Sequence, residues 1–168
     1  MTRLDMSIPP DKVRWKIQTW NHDTQKPRAL YVPYFDARDV EDALDDLFGW
    51  ERWSTKMTFA EIKGVPFCIC ELTVYPPNGG AAVVKTDAAP LTDIESIKGG
   101  VSDSLKRAAA QLGVGRNAYA LPSIWATCAL RGDADKPQPQ MPTGHAAKLT
   151  KQALAILGQS DEGGEYEG

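Results

Sequence analysis

Leu91–Tyr119 reads LTDIESIKGGVSDSLKRAAAQLGVGRNAY, and the fold turns on how it is read. Thr92 and Glu95 have capping-box spacing, which predicts a helix start. Ile94, Ile97, Val101, Leu105, Ala108 and Leu112 recur every three or four residues. At about 100° per residue they fall on one face. Gly113 stands where a helix stop is expected. Lys106, Arg107 and Asp103 fall on the opposite face beside Gly99, Gly100 and Ala110. Asp103 and Arg107 are spaced i,i+4, as an ordinary surface ion pair would be. A glycine inside a helix costs about 1 kcal/mol against alanine, so Gly99 and Gly100 call for a packing or functional reason.

Upstream, the periodicity changes to that of strands. Trp53–Ile62 alternates, with Met57 and Phe59 on one side. Lys63-Gly64 is a turn. Val65–Tyr75 is nearly all apolar and reads as a central strand buried on both faces. A second turn spans Pro76–Gly80, and Ala81–Thr86 is a third strand. Three antiparallel strands followed by a long helix make an α+β fold. Further out, Asp36 can cap a helix to Phe48, with Val40, Ala43, Leu44 and Leu47 inward and Gly49 as its stop. Val13, Trp15, Ile17 and Thr19 alternate with Arg14, Lys16 and Gln18, giving a strand with one apolar and one basic face. Residues 21–27 form a polar loop, and Leu30–Tyr34 a short strand limited by Pro33. The first ten residues read as a loose terminus. Arg131–Gly144 reads as linker and His145–Leu157 as a short helix. The last ten residues read as a disordered acidic tail.

The 168 residues carry 19 basic and 22 acidic side chains, a net charge of −3. That total hides a pattern. Residues 159–168 hold four acids and no base, and without them the sum becomes +1. Asp36–Phe48 sums to −5, Lys12–Arg28 to +4 and Lys98–Arg116 to +3. Two basic stretches and two acidic ones alternate along the chain. Three cysteines, an odd number, argue against a disulfide framework and fit a reducing cytoplasm. No apolar run is long enough to span a membrane, and no signal-peptide core is evident.

Most enzymatic motifs are missing. Gly113-x-Gly115 follows a helix, not a strand, and lacks the third glycine of a dinucleotide fingerprint. There is no P-loop and no zinc-deaminase signature. Cys68 and Cys70 share a strand face, but Cys128, His22 and His145 are too scattered to complete a zinc site, so buried free thiols and surface histidines are expected. Glu61-Ile62-Lys63 has the E-x-K spacing of metal-dependent nucleases, with Asp45 or Asp46 as a second carboxylate. The stronger reading is a binder: Lys106, Arg107 and Arg116 supply a basic track, and Lys98 lies near the edge of the apolar face, where it can snorkel. Trp50, Trp53, Tyr119 and Trp125 default to the core.

The string SDSLKRAAAQLGVGRNAY, with YFDARDVEDALDDLFGWERW (Tyr34–Trp53) upstream, resembles the Rad-fifty-two family of single-strand annealing proteins, in its DdrA-like bacterial and phage branch. The resemblance covers roughly Ile8–Pro122. It implies a β-β-β-α core in residues 1–130, followed by linker 131–144, helix 145–158 and tail 159–168. It further implies a homo-oligomeric ring whose groove holds single-stranded DNA on Lys106 and Arg107. Annealing would then need neither ATP nor a metal or other cofactor, and no bond chemistry. The role would be DNA repair and recombination in a bacterial or phage-infected cytoplasm, with no membrane partner and with the tail free to meet other recombination proteins. Two departures stand out. Eukaryotic members carry arginine where this chain has Ala110, and again at Asp39, with Arg38 one position earlier. A single-strand-binding module that does not anneal, or a metal nuclease, is the alternative.

Overall fold

A computed structural model of the chain describes residues 6–91, 96–133 and 135–161. After a short 3-10 turn at Pro10–Lys12, the elements are β1 (Arg14–Trp20), β2 (Arg28–Tyr34), α1 (Ala37–Phe48), β3 (Trp53–Ile62), β4 (Val65–Val74), β5 (Val83–Pro90), α2 (Ser96–Leu112), α3 (Arg116–Tyr119), β6 (Ile124–Thr127), β7 (Ala129–Arg131), β8 (Gln138–Gln140) and α4 (His145–Asp161). The fold is mixed α+β with antiparallel sheets. It divides into two compact units. One comprises residues up to Ile8 together with Asp36–Asn117; the other comprises Pro9–Phe35 and the chain from Ala118 on. Among the described residues no helix is long and apolar enough to cross a membrane.

In the first unit the sheet order is β3-β4-β5. Lys63 and Gly64, at φ 52° and 79°, form the two-residue hairpin turn that strand twist favours. The register pairs Phe59 with Cys68, Met57 with Cys70 and Thr55 with Leu72. It therefore places Cys68, Cys70, Leu72 and Val74 on one face, all buried. That face meets α2. Ser104, fully buried, donates to the Val101 carbonyl at 2.9 Å and lies 3.5 Å from Cys68 Sγ. β4 is central, as its apolar run predicts, but it is not buried on both faces: Glu71 is exposed on the other side. There it stands directly opposite Lys56. β5 extends further than expected, to Pro90.

The predicted capping box at Thr92–Glu95, and Ile94 with it, lies outside the described residues. From Ser96 on, α2 buries Gly100, Ser104, Leu105, Ala108 and Ala109. Its inward face is thus turned slightly from the predicted one. Ile97, expected inside, is 61% exposed. Gly100 has a packing reason: a Cβ there would run into Leu91 Cδ2 and touch the Pro90 carbonyl at 3.4 Å. Gly113, at φ 115°, ends the helix as expected, its N–H donating to the Ala109 and Ala110 carbonyls. α1 forms as predicted. Asp36 starts it, the Asp36 N–H donates to Asp39 Oδ2 at 2.9 Å in a capping box, and Gly49 stops it at φ 92°. The N-terminal segment is not loose at Met6–Ile8. Ile8 is fully buried, its N–H donates to Asn117 Oδ1, and Asn117 Nδ2 donates back to its carbonyl, both at 2.9 Å.

In the second unit the order is β1-β2-β6. β6 pairs with β2 only as far as Tyr31, so Pro33 sits where the central strand has become an edge and a missing N–H is tolerated. Trp15, Ala29, Tyr31 and Ile124 share the covered face. α4 lies on it: Trp15 Nε1 donates to Thr150 Oγ1 at 2.9 Å, and Leu149 and Ala153 are buried. His145 is half-buried, not on the surface, its ring 5.7 Å from that of Tyr31; His22 is exposed in its loop. The stretch 131–144 carries most of a small ladder, β7 against β8, and α4 reaches Asp161. Residues 162–168 lie outside the described residues.

Candidate nucleic-acid interface

The basic residues of the quoted stretch gather along α2 and the turn that follows it. Lys98, on the first turn of α2, is exposed and does not run its stem along the core. Lys106 is largely covered, and its Nζ lies 2.6 Å from Asp103 Oδ1, one turn back. Arg107 is 54% exposed and does not pair with Asp103 as its spacing suggests. Its Nε instead donates to Asp87 Oδ1 on β5 at 2.9 Å.

Asp87 is itself held on several sides. Gln111 Nε2 donates to its Oδ2 at 3.1 Å and to the Thr86 carbonyl at 2.8 Å, and the Ala88 N–H donates to Oδ1. Partial burial alone would raise the Asp87 carboxyl. The bonds from Gln111, the Ala88 amide and Arg107, with the Arg107 charge, together outweigh burial and hold it below the usual carboxylate range. Arg107 is thus fixed through Nε while its side chain stays more than half exposed.

Arg116 closes this row. Its Nη2 donates to the Ala110 carbonyl at 2.8 Å and to that of Gln111 at 3.3 Å, satisfying the open end of α2. Arg38 is exposed on the first turn of α1. Asp39, buried beside it, is committed to the cap, which gives the acid a structural reason where a base was looked for. Asp87 escapes a sequence reading because it lies 20 residues from Arg107 on a different element, and Gln111, one turn on from Arg107, shows its role only once that strand is in place. No local spacing signals Asp87.

The aromatic residues correct the expectation of a core. Trp50 is 77% exposed, Tyr119 53% and Trp125 43%. Trp53 is half-buried and donates through Nε1 to Asp45 at 2.7 Å. Asp45 is therefore tied to an indole, while Glu61 and Lys63 are exposed at the hairpin tip. The three cysteines are buried and free, and burial, then the neighbouring Cys68 and Glu71, pushes Cys70 up to about 11.

With this geometry in hand, comparison with known proteins is decisive for the family. The model of the Rad52/22 family double-strand break repair protein matches residues 1–136. The chain belongs to the Rad52/22 family. The single-stranded DNA-binding protein DdrA of Deinococcus radiodurans is 35% identical over 124 residues, 74% of this chain and 56% of that protein. The DdrA of Deinococcus deserti is 34% identical over 123 residues, 73% of this chain and 58% of its own length. The chain thus matches a little over half the length of each of these relatives. No solved structure matches it.

Proposed function

We propose that this protein binds single-stranded DNA without nucleotide hydrolysis and anneals complementary strands in double-strand break repair and recombination. The observation that carries this reading is Arg107, held by Asp87 through Nε yet more than half exposed, in a chain whose relatives are named for single-strand binding. Arg107 and Lys106 take phosphates, Arg116 and Lys98 extend the track, and Arg38 is the outlying member. The protein works as a closed ring. Trp50, Phe59, Ile62, Val84 and Ile97 are all at least half exposed in one unit, an apolar surface that a monomer leaves in water. α1 with its Asp36 cap, at −5, has basic stretches of +4 and +3 to meet in a neighbouring copy. A ring multiplies a few bases per subunit into a continuous track.

The names of the relatives speak of binding and not of annealing, which favours a plain binding or end-protecting module as the second reading. One experiment separates the two. Labelled complementary strands are mixed with parent protein and with Lys106→Ala/Arg107→Ala, at several salt concentrations, with and without Mg²⁺. Annealing should be accelerated by the parent without ATP or metal. The double variant should lose about 1.4 from the magnitude of its salt slope, about 0.7 for each phosphate contact. Binding without acceleration supports the second reading, and Mg²⁺-dependent cleavage would sink both.

A further inference from the structure

The sulfur atoms beneath α2 take no part in DNA binding as read above. Register fixes where they stand. Met57 on β3 lies directly across from Cys70 on β4, and Cys68 precedes Cys70 by two residues on the same face. Both cysteines are fully buried and free. Met57 Sδ lies 3.9 Å from Cys68 Sγ. Ser104 Oγ, on α2, lies 3.5 Å from Cys68 Sγ and 3.9 Å from Met57 Sδ. Directly opposed side chains leave the sheet about 4.5–5.5 Å apart at Cβ, so the Cys70 thiol stands beside the same methionine. α2 packs over β4 and β5, with β3 at its margin. Met57 is accordingly only half-buried, and Phe59, next on the same face, is 56% exposed. The two thiols are covered, and the thioether beside them meets the margin.

We infer that Met57, Cys68 and Cys70 form a binding site for a soft monovalent metal ion, with Cu(I) as the occupant that fits. Thiolate and thioether donors select soft ions, whereas a structural zinc site asks for four ligands. Three sulfurs each about 2.3 Å from one ion in a trigonal plane stand about 4 Å apart. The Met57–Cys68 separation is already 3.9 Å. Two residues apart on one strand, Cys68 and Cys70 have Cα atoms about 6.8 Å apart, at the outer limit for a disulfide, so the pair stays available as thiols. When the ion enters, the Cys68 S–H bond breaks, a metal–sulfur bond takes its place and the proton leaves to water. Nothing is oxidised or reduced. One positive ion replaces one proton, so the pocket stays neutral and burial does not oppose the exchange. A divalent ion against one thiolate would leave a buried charge. The Ser104 hydroxyl donates to the Val101 carbonyl at 2.9 Å and needs only to rotate to donate to the Cys68 sulfur.

The test is an anaerobic titration of the reduced full-length chain with Cu(I) against a coloured Cu(I) chelator, followed by X-ray absorption at the copper edge. The parent should take up one ion per chain with sulfur neighbours, and its melting temperature should rise with the metal. Met57→Leu conserves volume and keeps the core filled. It should weaken Cu(I) by at least about tenfold, since losing even a group that only supports a ligand costs about 10- to 100-fold. Cys68→Ala should abolish binding. Cys128→Ala removes the buried free thiol of the other unit and should bind as the parent does. Zn(II) should not displace the copper. Should Cys68→Ala lose its fold by circular dichroism, Met57→Leu decides alone. Parent-like affinity in Met57→Leu, loss in Cys128→Ala, displacement by Zn(II), or a parent that leaves all copper on the chelator would each overturn the site.

Discussion

The two units solve one packing problem alike and a charge problem differently. Each has a three-stranded antiparallel sheet with a helix over one face, α2 on β3-β4-β5 and α4 on β1-β2-β6. In the first, three bases face acids: Arg107 pairs with Asp87, Lys106 with Asp103, and Lys56 stands opposite Glu71. In the second, Arg14, Lys16 and Arg28 share a sheet face whose strands hold no acid. A matched base is already near neutral, and a phosphate arriving there must compete with a carboxylate. The strands of the β1-β2-β6 face supply no carboxylate of their own. The lesson is that counting bases along a sequence misjudges a binding surface unless the acids that fold back onto them are counted too.

The comparison can be broken most severely at the packing that both units share. Trp15→Ala removes the indole that anchors α4 to its sheet, and should cost about 3–5 kcal/mol. Hydrogen exchange should then show protection lost in β1, β2, β6 and α4 more than in β3–β5. A uniform loss would mean that the two units unfold as one.

High pH probes the covered faces separately, with an intermediate effect. Burial, then the nearby Cys128, pushes Tyr31 up to about 12 from an ordinary value of 10, and Cys70 rises to about 11 from 9. Between the unfolded and folded values the native state binds more protons, so stability must fall as pH rises. The loss should run over pH 10–12 for Tyr31 and 9–11 for Cys70, and amount to about 1–3 kcal/mol each. Tyr31→Phe should flatten the first window and Cys70→Ala the second in urea titrations. A parent-like slope in either variant would show that the group does not carry the effect.

The smallest effect bears directly on the matched and unmatched bases. Removing Arg107 from its carboxylate should cost no more than about 1 kcal/mol, the usual scale of a solvated ion pair. Lys16→Ala/Arg28→Ala should stay within about 0.5 kcal/mol. The depressed Asp87 carboxyl adds stability that is present at neutral pH and fades as pH falls through its folded value. Asp87→Asn should therefore weaken the acid dependence of unfolding below about pH 4. Equal losses from the α2 bases and the sheet bases would erase the distinction drawn here.

Much of the first unit was legible in the sequence because its signals are local. Asp36 and Gly49 mark α1, Lys63-Gly64 marks the hairpin, and Gly113 marks the end of α2. The apolar run of β4 gave its central place but not its exposed face, since Glu71 breaks the run at one residue only. The second unit was legible only in part. Alternation showed that β1 has a basic face, yet Trp125 reaches that sheet from 97 residues beyond Arg28, and Pro139 argues against the strand it occupies. Arg107 was found without its partner for the same reason. A helix pattern shows which way a side chain points, and says nothing of what a distant strand places there.

The pair of bonds between Ile8 and Asn117 has a consequence for how the chain comes together. It joins residues 109 apart, and the backbone passes between the two units at three points, after Ile8, Phe35 and Asn117. Neither unit is one continuous piece of chain. On the ribosome the clasp cannot close until Asn117 has emerged, and Trp15 waits still longer for Thr150. Such long loops must close before their contacts reward them, which makes for slow folding with strand edges open meanwhile. No single cut frees either unit with all its parts, so a truncation series is the wrong way to dissect this protein, and point substitutions are the right one.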